Sequence, residues 1–345
     1  MPFTLSWEPL ELRTSHAFHI ARAAAPPVRR DVWVRVTDSV GCEGWGEAAP
    51  SPYYGETAET VAAVLPRYAS VLESVDDDAA LEDVERRLVL ELGGNASARA
   101  AVSAALHDLL GKRLGVPLWK LWEVAPSAPR SSFTIGLDEP AIMRERVAAA
   151  AGHEVLKIKV GTERDEEALR TVRDAAPDAR IRVDANTAWT VKQAVGRLPL
   201  LREMDVELIE QPLHPNDLDG LRLLRRRSPI PIIADESCRT LADVPRLAGR
   251  VDGVNIKLAK CGSLREALRM VHAARAHGML VMIGCMIEST LGIAAAVQLA
   301  PLCDYVDLDG AALLAEDPFT GPALEADGSL RFNREPGLGV TSRKR

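Results

Sequence analysis

Val155-Leu156-Lys157-Ile158-Lys159-Val160, followed by Ile181-Arg182-Val183-Asp184-Ala185-Asn186, is the stretch from which the fold can be read. Both runs are short, apolar and rich in β-branched residues, and an amphipathic helical pattern at 164–176 separates them. A helix between two strands is the crossover that parallel pairing needs, whereas an antiparallel hairpin needs only a turn. The unit repeats along the chain. Short apolar runs at 133–137, 155–160, 181–184, 208–211, 232–235, 254–257, 281–284 and 305–308 recur about every 25 residues, with helical patterns such as 264–277 between them. Eight strands alternating with helices are what a closed parallel α/β barrel requires. An open doubly wound sheet competes, but no G-x-G-x-x-G turn follows any of these runs, so dinucleotide binding loses its main support.

Upstream of the repeat the pattern changes. Residues 5–13, 31–37 and 41–47 are β-prone, with Asp38-Ser39 as a turn, and Val32-Trp33-Val34-Arg35-Val36 alternates like a half-buried antiparallel strand. Helical patterns follow at 56–75, 79–90 and 97–114, the last stopped by Gly115 and Pro117. This reads as an α+β domain over 1–127, ending in the Pro-rich linker Ala125-Pro126-Ser127-Ala128-Pro129. A barrel domain follows over 128–319, and the Gly/Pro-rich tail 320–345 is expected to pack back on the first domain.

With 345 residues, 47% of them apolar, the chain can bury a barrel core beside a smaller domain. A formal charge of −7 argues against a nucleic-acid backbone or an anionic membrane as partner. The most basic run, Arg225-Arg226-Arg227, reads as a solvated helix face. Five widely spaced cysteines without a C-x-x-C pair suggest neither a disulfide framework nor a zinc site, and fit a reducing cytoplasm. The first residues lack a basic stretch followed by an apolar core, so no signal peptide is expected, and the apolar run 279–287 is too short to span a bilayer.

The carboxyl ends of parallel barrel strands form the active face. Here the second run ends in Lys157 and Lys159, the third in Asp184, the fourth in Glu210, the fifth in Asp235, the sixth in Lys257 and the eighth in Asp307-Leu308-Asp309. One acid at a strand end is ordinarily a helix cap or a surface residue; charge at strand end after strand end is not explained that way. Three carboxylates converging from adjacent strands repel one another unless a cation joins them. An all-oxygen set with positions left for water and substrate suits Mg²⁺ better than Zn²⁺. The bland alternative is three acids paired with barrel arginines. Lys157 and Lys159, two apart on a strand, face the same side, and two adjacent ammonium groups beside a metal should disfavour each other's charge and lower one lysine toward a general-base pKa. Lys257 comes from across the barrel, with Lys260 a weaker candidate beyond it. A base on each face of a carbon acid suits a 1,1-proton transfer through an enediolate, that is, racemisation or epimerisation. Asp307 and Asp309 are expected to pair with a cation such as a free ammonium.

These residues resemble the enolase superfamily, in its muconate-lactonizing-enzyme subgroup. The resemblance runs over nearly the whole chain and is carried by Gly44-Trp45-Gly46-Glu47, Lys157-Ile158-Lys159, Asp184-Ala185-Asn186, Glu210-Gln211-Pro212, Asp235-Glu236-Ser237 and Asn255-Ile256-Lys257. It implies a modified TIM barrel, (β/α)7β, under an α+β capping domain. It further implies one Mg²⁺ per subunit on Asp184, Glu210 and Asp235, and acid/base lysines at Lys159 and Lys257. Within the subgroup the chain looks most like the dipeptide epimerases, on Asp307-Leu308-Asp309 and Met286-Ile287-Glu288. The implied substrate is then a dipeptide, contacted by Lys157, Thr134, Met286, Ile287, Asp307, Asp309 and Arg22, in an enzyme that is a homo-oligomer. Members specific for glutamate carry an arginine in the first capping loop, and Arg22 is the one arginine between His16 and Pro27. Cys285 stands where a serine is expected. Other expectations within the subgroup are an N-succinyl amino acid racemase, an o-succinylbenzoate synthase or a muconate cycloisomerase. Outside it stands a catalytically silent barrel, against which the intact lysines and acids speak.

Overall fold

The computed structural model describes residues 3–343 apart from 17, 21, 22, 26, 77 and 78. The chain opens with β1 (Thr4–Arg13), a small hairpin of β2 (Phe18–Ile20) and β3 (Ala23–Ala25), then β4 (Val28–Thr37) and β5 (Glu43–Ala48). β4 pairs antiparallel with β1 along its whole length and with β5 on its other edge. The turn after β4 is tied by Asp38, whose Oδ1 accepts the Val40 and Cys42 N–H groups at 3.0 and 2.8 Å. Sequence reading left β2 and β3 as loop because three alanines carry no β signal.

Helices α1 (Ala58–Glu73), α2 (Leu81–Glu91), α3 (Ala96–Leu114) and α4 (Leu118–Leu121) complete this cap. α1 starts at a reciprocal Thr57–Thr60 capping box, and α3 stops at Gly115 in the left-handed conformation. α3 is buried nearly all round because it lies between two layers: Ala98, Ala101, Val102 and Ala105 join the cap core, while Ala100 and Ala104 join the barrel core. Its small side chains permit this, and so do Gly44 and Gly46 of β5. A Cβ on Gly44 or Gly46 would run into the α3 backbone at Ala105 or Ala101.

The barrel follows as β6 (Phe133–Ile135), α5 (Pro140–Ala149), β7 (Val155–Lys159), α6 (Asp165–Ala175), β8 (Arg180–Asp184), α7 (Val191–Glu203), β9 (Val206–Glu210) and α8 (Leu218–Arg227). It continues with β10 (Ile232–Ala234), α9 (Asp243–Leu247), β11 (Gly253–Ile256), the short α10 (Leu258–Cys261), α11 (Leu264–Ala276), β12 (Leu280–Gly284), α12 (Thr290–Val297) and β13 (Tyr305–Asp307). The eight strands lie in chain order. A parallel bridge from Ser131 to Val306, with Ser132 N–H donating to Val306 O at 3.0 Å, joins last to first. After β13 the one helical element among the described residues is a 3-10 turn, Gly310–Leu313, so the barrel is (β/α)7β. Leu208, Ile233 and Met282 fill its floor. The interior Arg182 does not reach the acids at the mouth; it donates to Glu207 at 2.7 Å and to Val306 O at 2.8 Å.

The tail returns to the cap. Phe319 packs edge-on against Trp33 with ring centroids 5.0 Å apart, Leu118 N–H donates to Gly337 O at 2.9 Å, and Leu338 N–H donates to Asp108 at 2.7 Å. The three arginines ending α8 are exposed. No helix among the described residues is long and apolar enough to cross a membrane.

Gly46→Ala should destabilise the protein by about 3 kcal/mol, because the added methyl has only backbone to displace. Chemical denaturation measures this, and an unchanged midpoint would mean that α3 does not rest on β5 as described.

Candidate active site

Parallel register brings the strand-end charges to one level. Lys159 pairs with Asp184 and Asp184 with Glu210 across neighbouring strands, and Asp235 follows directly after β10. Lys257 follows β11 opposite them, with room made by Gly284, where a Cβ would press on Lys257 Cε at 3.1 Å. All five side chains are buried.

At the centre lies Lys157. Its Nζ is 2.6 Å from Glu210, 2.7 Å from Asp307 and 3.2 Å from Asp184. Lys159 donates to Asp184 Oδ2 at 2.7 Å, and Lys257 to Asp235 Oδ2 at 2.8 Å. Burial alone would raise Asp184 and Asp235, but the lysines outweigh it and hold both carboxyls below the ordinary range. Glu210 goes the other way, pushed up to about 7 by burial and then by Asp184. Burial lowers Lys157 and Lys257, yet the carboxylates around them win, and both stand well above the usual lysine range.

Asp307 accepts from Lys157 and, at 2.5 Å, from the Ser132 hydroxyl. Asp309 has left the strand and accepts the Thr134 N–H at 2.7 Å; burial and Asp307 push its carboxyl up to about 6. Thr134 is thus tied to Asp309 through its backbone. Met286 and Ile287 are half-buried just past β12. Cys285 turns its thiol to the Asp307 carbonyl at 3.4 Å. Arg22 lies outside the described residues.

Several functional-looking residues were named in the sequence only as neighbours of others. Lys260 is no candidate base: its ammonium donates to Asp235 O, Asp235 Oδ1 and Asn255 O at 2.6, 2.5 and 2.9 Å, so all three protons are used. Asn255 donates to Glu210 at 2.8 Å, and Asn186 N–H to Asp184 at 2.9 Å. From the cap, Glu47 reaches the start of α12, accepting from the Ser289 N–H and hydroxyl and from Gly292 N–H. Glu288 accepts the Met286 N–H at 2.7 Å. The wholly buried Asp31 is held well above the carboxylate range by burial and by Glu47. A polar residue beside a charged strand end, as in Glu210-Gln211 or Asn255-Ile256-Lys257, is the only signal that could have marked them.

Asp184, Glu210 and Asp235 form an oxygen-only donor set on adjacent strands, which fits a hard divalent cation in its chemistry. Lys157, Lys159 and Lys257 pair with these carboxylates at 2.6 to 3.2 Å.

The model of the mandelate racemase / muconate lactonizing enzyme N-terminal domain matches residues 10–122, and the enolase C-terminal domain-like model matches residues 142–345. The chain is 39% identical to an L-Ala-D/L-Glu epimerase of Bacteroides thetaiotaomicron, over 97% of this chain and 87% of that protein. It is 41% identical to a hydrophobic dipeptide epimerase of Roseobacter litoralis, over 90% of each. A dipeptide epimerase from Enterococcus faecalis V583, solved with Mg and the dipeptide L-Leu-L-Tyr, superposes with a TM-score of 0.93 at 31% identity, over 99% of this chain and 100% of that one.

Glu288 carries a pH signature. Burial first and Glu47 second push it up to about 7 from 4.5. Between those values the folded chain keeps a proton that the unfolded chain has released, so its contribution turns unfavourable as pH rises through the window. Glu288→Gln should therefore lose less stability than the parent between about pH 5 and pH 8, by on the order of 3 kcal/mol for a shift of this size. Equal pH slopes in thermal unfolding would remove Glu288 from this account.

Proposed function

We propose that this chain, which belongs to the mandelate racemase / muconate lactonizing enzyme family of the enolase superfamily, is a Mg²⁺-dependent dipeptide epimerase. The observation that carries the reading is the pairing of two lysines, Lys159 on β7 and Lys257 after β11, on opposite sides of a mouth lined by Asp184, Glu210 and Asp235. The two epimerase relatives and the dipeptide complex of the solved neighbour support it.

In this reading Asp184, Glu210 and Asp235 hold one Mg²⁺ per subunit. When bound, it supplies the positive charge that offsets the second negative charge building on the substrate carboxylate as the α-proton leaves. The chain's own groups do the rest. Lys159 takes the α-proton of the C-terminal residue from one face, and Lys257 delivers a proton to the same carbon from the other; for the opposite stereoisomer the roles exchange. Lys157, fixed by Glu210 and Asp307, keeps a permanent ammonium beside the substrate carboxylate. Asp307 and Asp309 receive the free ammonium of the dipeptide, where an N-succinyl group would bring a like charge. Met286 and Ile287 border the substrate. The five free thiols support a reducing cytoplasm as its setting.

The test is α-proton exchange by NMR in D₂O with Mg²⁺, run on pooled L,L-dipeptides and on N-succinyl amino acids. Exchange with epimerisation in the dipeptide pool alone is expected. Exchange only in the N-succinyl pool would replace the epimerase with a racemase, and silence in both pools would move the substrate elsewhere.

Lys159→Ala and Lys257→Ala should each lower kcat for epimerisation by about 1,000-fold while the fold survives. Each is expected to keep exchange of the one stereoisomer that faces its remaining base. Near-parental epimerisation in either variant would show that its lysine is not a base. Excess chelator should stop turnover, and activity that persists in it would sink the Mg²⁺ assignment.

A further inference from the structure

We propose that Gln211 is a positioning residue that fixes the spacing of the three candidate cation ligands, an inference that rests on the metal-dependent reading of the site. Gln211 is wholly buried, and its φ of +34° lies in the left-handed region that glycine occupies at no steric cost. A side chain is kept there against that strain, and its contacts give the reason. Oε1 accepts the N–H groups of Asp235 and Ser237 at 2.9 and 3.0 Å. Nε2 donates to Leu213 O at 2.8 Å and to the Ser237 hydroxyl at 2.9 Å. The backbone is as fully used. Gln211 N–H donates to Ile233 O at 2.8 Å, and its carbonyl accepts the Thr187 N–H at 2.8 Å.

One residue thereby joins three strand exits. Glu210 precedes it in the chain, Asp235 hangs from its side chain, and the segment carrying Asp184 is bonded to its carbonyl. The buried Asn255 amide, by contrast, donates to Glu210. The left-handed residues Asn186 and Thr187, at φ of +43° and +73°, lie in the same junction. Strained backbone held by so many bonds is pre-organised rather than loose. A small hard cation demands near-ideal oxygen placement, so a spacer between ligand-bearing strands should register in metal affinity more than in fold stability.

Gln211→Gly is the variant of choice, because glycine accepts the positive φ while the side-chain links disappear. Mg²⁺ is titrated calorimetrically into the full-length protein without substrate, and the unfolding midpoint of the metal-free protein is measured alongside. The expected result is a folded variant whose Kd for Mg²⁺ is weaker by about 10- to 100-fold. An unchanged Kd, with or without a lower metal-free midpoint, overturns the proposal and leaves Gln211 a merely structural link. A parent protein that takes up no Mg²⁺ would refute the metal reading itself, and this is distinguishable because the parent fails first. If Gln211→Gly does not fold, Gln211→Asn carries the same measurement: asparagine tolerates the left-handed backbone but is one methylene too short to hold the Asp235 N–H.

Discussion

Charge compensation inside a closed barrel is the constraint on which the rest depends. Parallel strands in register set Lys159, Asp184 and Glu210 side by side, with Lys157 one step lower on β7, Asp235 just past β10, and Lys257, Asp307 and Asp309 completing the ring. None of these groups could be buried alone, since an isolated ion pays several kcal/mol of desolvation. They persist because each ion has a partner within about 3 Å, and Lys157 has three. The barrel therefore holds its reactive groups in a network in which removing one member strands another. The interior below is apolar and offers no alternative partner; its arginine, Arg182, is already committed to Glu207.

A second consequence concerns the cap. Strand ends alone leave the mouth open, and the segment 285–289 that borders it has no regular structure of its own. Glu47 supplies the anchorage by accepting three donors at the start of α12. That placement needs β5 to lie directly against α3, hence glycine at 44 and 46, and needs α3 to be slim enough to sit between two cores, hence its alanines. The Gly44-Trp45-Gly46-Glu47 motif is thus one device: two glycines set the approach and the acid makes the contact. Burial first, and then the neighbouring Glu47 carboxylate, push Asp31 and Glu288 up from the ordinary carboxylate range.

The barrel was legible because its information is local. Each strand is an apolar run ended by charge, and each helix carries a stripe that faces the sheet, so strand positions read from sequence differ from those observed by only a residue or two. The residues bearing the candidate chemistry were legible for the same reason, standing at strand ends. What sequence could not give is whatever depends on distant partners. Gln211 and Asn255 look like ordinary polar residues, and Lys260 like a second candidate base, until the fold sets Asp235 and Glu210 beside them. The hairpin of β2 and β3 is invisible because alanine has no preference for strand. Spacing along β7 shows Lys157 next to Lys159, but not that acids from β8, β9 and β13 surround Lys157.

The pairing of acid with lysine bears on how such a site must work. Lys257 donates to Asp235 Oδ2, and Lys159 donates to Asp184 Oδ2. On the proposed function, a lysine becomes a base only when its acid is engaged elsewhere, so ligand and base cannot be tuned independently. Lys260 shows the contrast. With its three protons spent on Asp235 and Asn255, it stays a fixed charge whatever the neighbouring oxygens do. The difference between a base and a permanent counter-ion at this mouth therefore lies in how many acceptors surround the ammonium, not in burial, which Lys257 and Lys260 share.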